Sequence, residues 1–193
     1  MLHDRSKTLT RERCMVLRVV WWVMICAVSL AGCDENIREP EGVLAVELEQ
    51  LEGVWFDIAH LEHPLQEDCR KTRSLYNEIK GNSMSFIFEC QHPDDLWYRT
   101  TGKVSRHGKK PDLLVFDFDE GFFDQFLSMS YWILAADWEA EWMAAGNPDE
   151  GWFWLFSRGV ELDTTLRESI LEDIDERGLY GKRFLRNLRY TEH

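Results

Sequence analysis

The chain has 193 residues, within the range of one domain, and 45% of them are hydrophobic, enough to bury a real core. Its 35 acidic residues outnumber 22 basic ones, and the formal net charge of -13 excludes nucleic acid as a partner, because phosphate binding needs clustered Lys and Arg. An anionic membrane surface repels such a body as well.

The first element is a leader. Arg5, Lys7, Arg11, Arg13 and Arg18 precede or open an apolar run from Val19 to Leu30, broken only by Ser29, and the small pair Ala31-Gly32 follows. A positive flank, a short apolar stretch and small residues are the features of an export signal, and the run is too short for a comfortable membrane span of about twenty residues. Residues 1–32 are therefore predicted to be removed, with Met1 or Met15 as the start. Leu30-Ala31-Gly32-Cys33 resembles the lipobox of bacterial lipoproteins, which implies cleavage before Cys33 and acylation of its thiol. Two or three acyl chains hold a protein on a bilayer almost permanently, at about 0.8 kcal/mol per buried methylene. Asp34, directly after that cysteine, resembles the inner-membrane retention signal of enteric bacteria. Residues 33–193 carry 17 basic and 33 acidic side chains, so the acidity belongs to the exported part.

Residues 33–48 are predicted to be the lipidated cysteine and its tether, and residues 49–193 the folded body. AVELEQLEGVW opens with a helical turn. From Val54 the chain reads as short strands separated by turn residues: 54–59, 72–79, 84–89, 97–104, 113–118, 131–136, 140–145 and 152–157. Breakers fall between them, Gly81-Asn82 being a hairpin signal. Eight strands in up-and-down order remove their edges by closing a barrel. The period then changes. Leu166, Ile170 and Ile174 recur every four residues after Asp163 and a Thr165-Leu-Arg-Glu168 capping pattern, with Gly178 at the C-terminal cap, so one helix of about thirteen residues is predicted. The tail GKRFLRNLRY is expected to add an extended segment. Export removes Cys14 and Cys26 and acylation occupies Cys33, which leaves Cys69 and Cys90 in a compartment where disulfides persist. They are expected to pair; two separate thiols are the alternative.

Gly53-Val54-Trp55 resembles the first signature of the lipocalins, a glycine one residue before a tryptophan at the start of the first strand. Tyr131-Trp-Ile-Leu-Ala-Ala-Asp137 resembles the strand and turn of their second signature, and Trp154-Leu-Phe-Ser-Arg158 is similar to the third. The three fall at the first, sixth and eighth strands, ahead of an amphipathic helix, as in bacterial lipocalins and their apolipoprotein D-like relatives. The resemblance covers residues 50–185. It implies an all-β fold, an eight-stranded antiparallel barrel with one C-terminal helix, in which Gly53, Trp55, Asp137 and Arg158 are structural: Trp55 plugs the closed end and the Arg158 guanidinium lies over its ring. It also points to the outer membrane, against Asp34.

A barrel of eight strands encloses side chains only or one small ligand. Phe86 and Phe88 share one face of the third strand with Met84 and are the first candidates for a ligand wall. Trp97, Phe116 and Trp132 are further candidates whose facing the pattern leaves open. Phe122 and Phe123, in the apolar loop GFFDQFL, form a portal for an acyl chain or a lid on the rim. The expected partners are a small apolar ligand, a fatty acid or lysophospholipid by family resemblance, and a membrane through the anchor; the body is a monomer or weak dimer. An enzyme acting on an apolar substrate and a filled-barrel structural lipoprotein are the alternatives. No catalytic group, cofactor or metal site is predicted. His60 and His63 sit on a strand-to-loop segment that does not force ligand geometry, Asp117 to Gly121 lacks the distal Glu of a calcium loop, and no nucleophile-elbow or phosphate-binding motif is present.

Overall fold

The computed structural model describes residues 38–119 and 128–191. The chain divides into two compact units, Met1–Ile37 and Arg38–His193, and every described residue belongs to the second. The expectations placed on the leader, Cys33, Asp34 and the first part of the tether, and on Phe122 and Phe123, lie outside the described residues.

A helical turn, α1 (Leu48–Leu51), leads into β1 (Gly53–His60). A 3-10 turn (Pro64–Gln66) follows, then β2 (Lys71–Lys80), β3 (Ser83–Gln91), β4 (Trp97–Arg106), β5 (Leu113–Phe118), β6 (Ser128–Asp137), β7 (Trp142–Asn147) and β8 (Trp152–Ser157). Two helices, α2 (Thr164–Glu176) and α3 (Phe184–Asn187), and a two-residue β9 (Arg189–Tyr190) close the chain. Each strand pairs antiparallel with the next, and β1 pairs with both β2 and β8, so the eight strands form a closed barrel. Closure leaves no long edge to template association.

Three departures from the sequence reading have a local reason. The seventh strand starts at Trp142 rather than Ala140, because Asp137 Oδ1 accepts the backbone N–H groups of Glu139 (3.0 Å) and Ala140 (2.9 Å), and Glu141 completes the turn at φ 60°. The helix cap is Asp163, whose Oδ1 accepts from the Leu166 N–H at 3.0 Å, two residues earlier than the Thr165 pattern implied. The tail is not simply extended: α3 interrupts it before β9 pairs with Ala59 and His60.

Alternation sorts the side chains. On β2, Thr72, Ser74 and Tyr76 are buried and point into the barrel, and on β3 Met84 and Phe86 do the same. β8 is buried on both faces, because the C-terminal segment covers its outside: Phe153 packs edge-on against Phe184 (4.9 Å) and Tyr180 (5.6 Å). Gly146 on β7 makes this cover possible. A Cβ there would collide with the Tyr180 hydroxyl, which donates to the Trp152 carbonyl at 2.7 Å.

Candidate functional site

One end of the barrel is sealed. Trp55 is 1% exposed, its indole N–H donates to the Leu51 carbonyl at 2.8 Å, and the Arg158 guanidinium lies 3.8 Å from its ring centroid. Arg158 also donates to the Val54 and Gln50 carbonyls at 3.2 and 3.1 Å, and burial lowers its pKa. Gly53 fits beneath it at φ 105°, where a Cβ would stand 2.7 Å from a guanidinium nitrogen. Three signature residues thus meet at one point, while Asp137 shapes the β6–β7 turn described above.

Above this floor the interior is lined by rings. Phe86 lies 5.2 Å from Tyr76 and 5.0 Å from Phe116, and Phe116 lies 4.6 Å from Tyr131. The Tyr76 and Tyr131 hydroxyls share a hydrogen bond of 2.7 Å; burial raises both phenol pKa values, so both rings stay neutral. Phe86, Phe88, Phe118, Met129, Trp154 and Phe156 complete an apolar wall around a cavity. Its volume is about 410 Å³ counted with the open solvent at its mouth, and the centre of a water molecule fits in only about 20 Å³ of it. A water needs roughly 10–15 Å³ by that measure, so an alkyl chain enters only if side chains move.

The other end carries a buried polar network. Asp57, two residues beyond Trp55 on the same face of β1, is 1% exposed. Its Oδ2 accepts from Gln66 Nε2 (2.5 Å) and Thr72 Oγ1 (2.9 Å), and His60 Nδ1 approaches it at 2.9 Å. Gln66 Nε2 also donates to Thr72 Oγ1 at 3.1 Å, and Trp154 Nε1 donates to Gln66 Oε1 at 2.6 Å. Gln66 comes from the β1–β2 connection, whose far end is fixed by the Cys69–Cys90 disulfide, with Cα atoms 5.3 Å apart. His63 in the same connection is buried between Trp152 (4.8 Å) and Trp154 (5.1 Å) and accepts the Leu65 N–H at Nδ1. Desolvation first, and the charge of His60 second, lower its pKa to about 4. The expected disulfide is thus present. It takes up both sulfurs of the Cys69, Cys90 and His92 group, whose ligand-type atoms lie within 4.8 Å, and leaves the imidazole alone.

The candidate wall residues separate. Phe86 and Phe88 line the cavity, and Phe116 packs behind Phe86. Trp97 is 46% exposed, beneath the Arg73 guanidinium at 4.9 Å, and so lies on the outside of β4. Trp132 is fully buried, but it alternates with Tyr131 and Ile133, which belong to the inner cluster; it faces the outer side of β6. Sequence reasoning missed Asp57, Gln66, Thr72, Tyr76, Tyr131 and Trp154. The signal for Asp57 was its place two residues beyond Trp55, and for Thr72 and Tyr76 their even spacing along one face of β2; nothing local announces Gln66.

The family profile described as a lipocalin-like domain matches residues 46–188. The outer membrane lipoprotein Blc of Escherichia coli is 22% identical over 150 residues, 76% of this chain and 82% of that protein. The outer membrane lipoprotein Blc of Vibrio cholerae is 23% identical over 169 residues, 85% of this chain and 95% of its own. Among solved structures, insecticyanin of the tobacco hornworm Manduca sexta superposes with a TM-score of 0.63 at 15% identity, covering 82% of this chain and 86% of that one. Lobster apocrustacyanin A1 superposes at 0.57 with 16% identity, over 81% and 91% of the two chains. With the profile spanning most of the chain and the barrel closed over a sealed floor, the chain belongs to the lipocalin-like family.

Proposed function

We propose that this protein is a membrane-tethered lipocalin that binds or carries a small apolar ligand, a fatty acid or lysophospholipid, in the bacterial envelope. The observation that carries the reading is the cavity itself: a mostly aromatic and aliphatic wall, closed below by Trp55, with its polar groups at Asp57, Gln66, Thr72, Arg73 and Ser74 and at the two phenols. Small-molecule sites have this composition, mostly apolar with a few placed polar groups. A general acid–base or nucleophilic pair aimed into the cavity would favour an enzyme instead; the carboxyl of Asp57, the Gln66 amide, the Thr72 hydroxyl and the Trp154 indole bond to one another.

Anchoring through Cys33, removal of residues 1–32 and a tether up to residue 48 belong to the same proposal, supported by the lipobox resemblance and by the similarity to the Blc outer membrane lipoproteins. Asp34 supports the inner membrane instead, and fractionation of wild type and Asp34→Ser decides between the two.

The narrowness of the cavity favours a second reading, a structural lipoprotein with a filled barrel. Native mass spectrometry of the purified chain, with tryptophan fluorescence titration by fatty acid and lysophospholipid, separates the two. Co-purified or added lipid retained at one per chain supports binding; a bare mass with no fluorescence response overturns it.

A further inference from the structure

The Gln66 carboxamide occupies a place that three strands build. Asp57 on β1 offers an acceptor oxygen, Thr72 on β2 a hydroxyl, and Trp154 on β8 an N–H that can only donate. These requirements fix the amide's orientation without ambiguity: nitrogen toward Asp57 and Thr72, oxygen toward Trp154. All three residues, and Gln66 itself, line the cavity whose lower wall is Phe86, Tyr76 and Phe156. The carboxamide is therefore at the polar end of an apolar channel, supplied by a side chain from a loop.

We infer that this cradle is the head-group site of the calyx and that it takes a ligand bearing a carboxamide on an apolar chain, a fatty amide or N-acyl compound, once Gln66 swings out. The inference rests on the reading of the cavity as an apolar ligand site and names the class within it. An N-acyl compound laid along the channel puts its acyl tail among the rings, its N–H at Asp57 Oδ2, its C=O at Trp154 Nε1, and whatever the nitrogen carries toward the rim. A carboxylate in the same place sets oxygen against the Asp57 carboxyl. An ester keeps the oxygen for Trp154 but presents a lone pair where Asp57 and Thr72 expect a donor, and a buried group left unpartnered is penalised more than a made bond is rewarded.

The test uses the purified full-length chain, wild type and Gln66→Ala, titrated with dodecanamide, methyl dodecanoate and dodecanoate and read by tryptophan emission and native mass spectrometry. Amide and ester have the same chain length and no net charge, so their ratio isolates the N–H donors. Gln66→Ala is expected to bind the amide about tenfold more tightly than the ester, the size of one or two net hydrogen bonds, and more tightly than wild type binds the same amide. Equal binding of amide and ester by Gln66→Ala, or preference for the carboxylate, overturns the inference while the apolar-ligand reading stands. Binding of none of the three by either protein overturns both. Gln66→Ser, which keeps a small polar group in the loop, carries the same expectation and serves if the alanine variant fails to fold by circular dichroism.

Discussion

The Arg158 guanidinium carbon lies 3.8 Å from the ring centroid of Trp55, with its nitrogens on the Val54 and Gln50 carbonyls. One side chain from the end of β8 thereby fastens the start of β1 and the turn before it, across the seam where the barrel closes. Arg158→Ala removes a cation–π contact and two hydrogen bonds to carbonyls, and is expected to lower unfolding free energy by about 2–3 kcal/mol in urea. Ligand titration of the folded variant is expected to match wild type. Gly53→Ala forces a Cβ against the same guanidinium at a positive φ and is expected to be comparably destabilising.

His63 makes stability depend on pH. Its pKa falls from 6.5 to about 4 on folding, so between those values the unfolded chain binds the extra proton. Stability is therefore intact above about 6.5 and declines as pH drops toward 4, by up to about 3 kcal/mol from this residue. Urea midpoints at pH 7 and pH 5 measure the slope. His63→Asn, whose side-chain oxygen can still accept the Leu65 N–H, is expected to flatten it. Glu89 acts in a separate window. Burial opposes its charge, but the Arg99 and Arg73 guanidiniums outweigh that and lower its pKa, so its contribution is lost only as pH falls below the ordinary Glu range.

The two buried phenols are coupled through their 2.7 Å hydrogen bond. Removing the Tyr76 hydroxyl strands that of Tyr131 in an apolar wall, Tyr131→Phe leaves Tyr76 with Ser74 alone, and removing both leaves neither phenol unsatisfied. Tyr76→Phe and Tyr131→Phe are each expected to cost about 1–2 kcal/mol, and the double variant less than their sum. A double-mutant cycle from urea melts reads the difference; strict additivity contradicts the coupling.

The Cys69–Cys90 bridge spans a sequence separation of 21 residues and fixes the loop that carries Gln66 and His63. Chain-entropy arguments assign about 3 kcal/mol to a closed loop of this size. Reduction, or the Cys69→Ser/Cys90→Ser double variant, is expected to lower stability by that order and to weaken protection of the 61–70 backbone amides in hydrogen exchange more than that of β6 to β8. Uniform loss across the barrel would show that the loop is not held separately.

Much of the fold was legible because it is written in local terms. Turn residues and alternation located the strands within a few positions, and Gly53, Trp55 and Arg158 identified the sealed end. The interior was harder. Alternation tells which residues share a face but not which face is inward when both carry apolar groups, as at Leu96-Trp97-Tyr98, where all three stay half exposed. On β6 both faces are buried, so Trp132 and Tyr131 look alike in sequence and serve opposite sides of the wall. The Asp57 network escaped for another reason: a buried carboxyl is readable only through its partners, and these come from positions 60, 66 and 72, with 154 fixing the amide between them.

Because β1 needs β8 as well as β2 for its hydrogen bonds, the first strand waits for the last. Phe56 pairs with Ser157, about a hundred residues onward, and Asp57 meets the amide that Trp154 holds only after that seam forms. Long-range pairing of this kind slows folding, since loop-closure entropy precedes any reward. A chain synthesised from its N-terminus therefore carries an unmatched strand edge until almost all of it has emerged, and for that interval its survival depends on speed of completion or on being held unfolded rather than on the stability of the finished barrel.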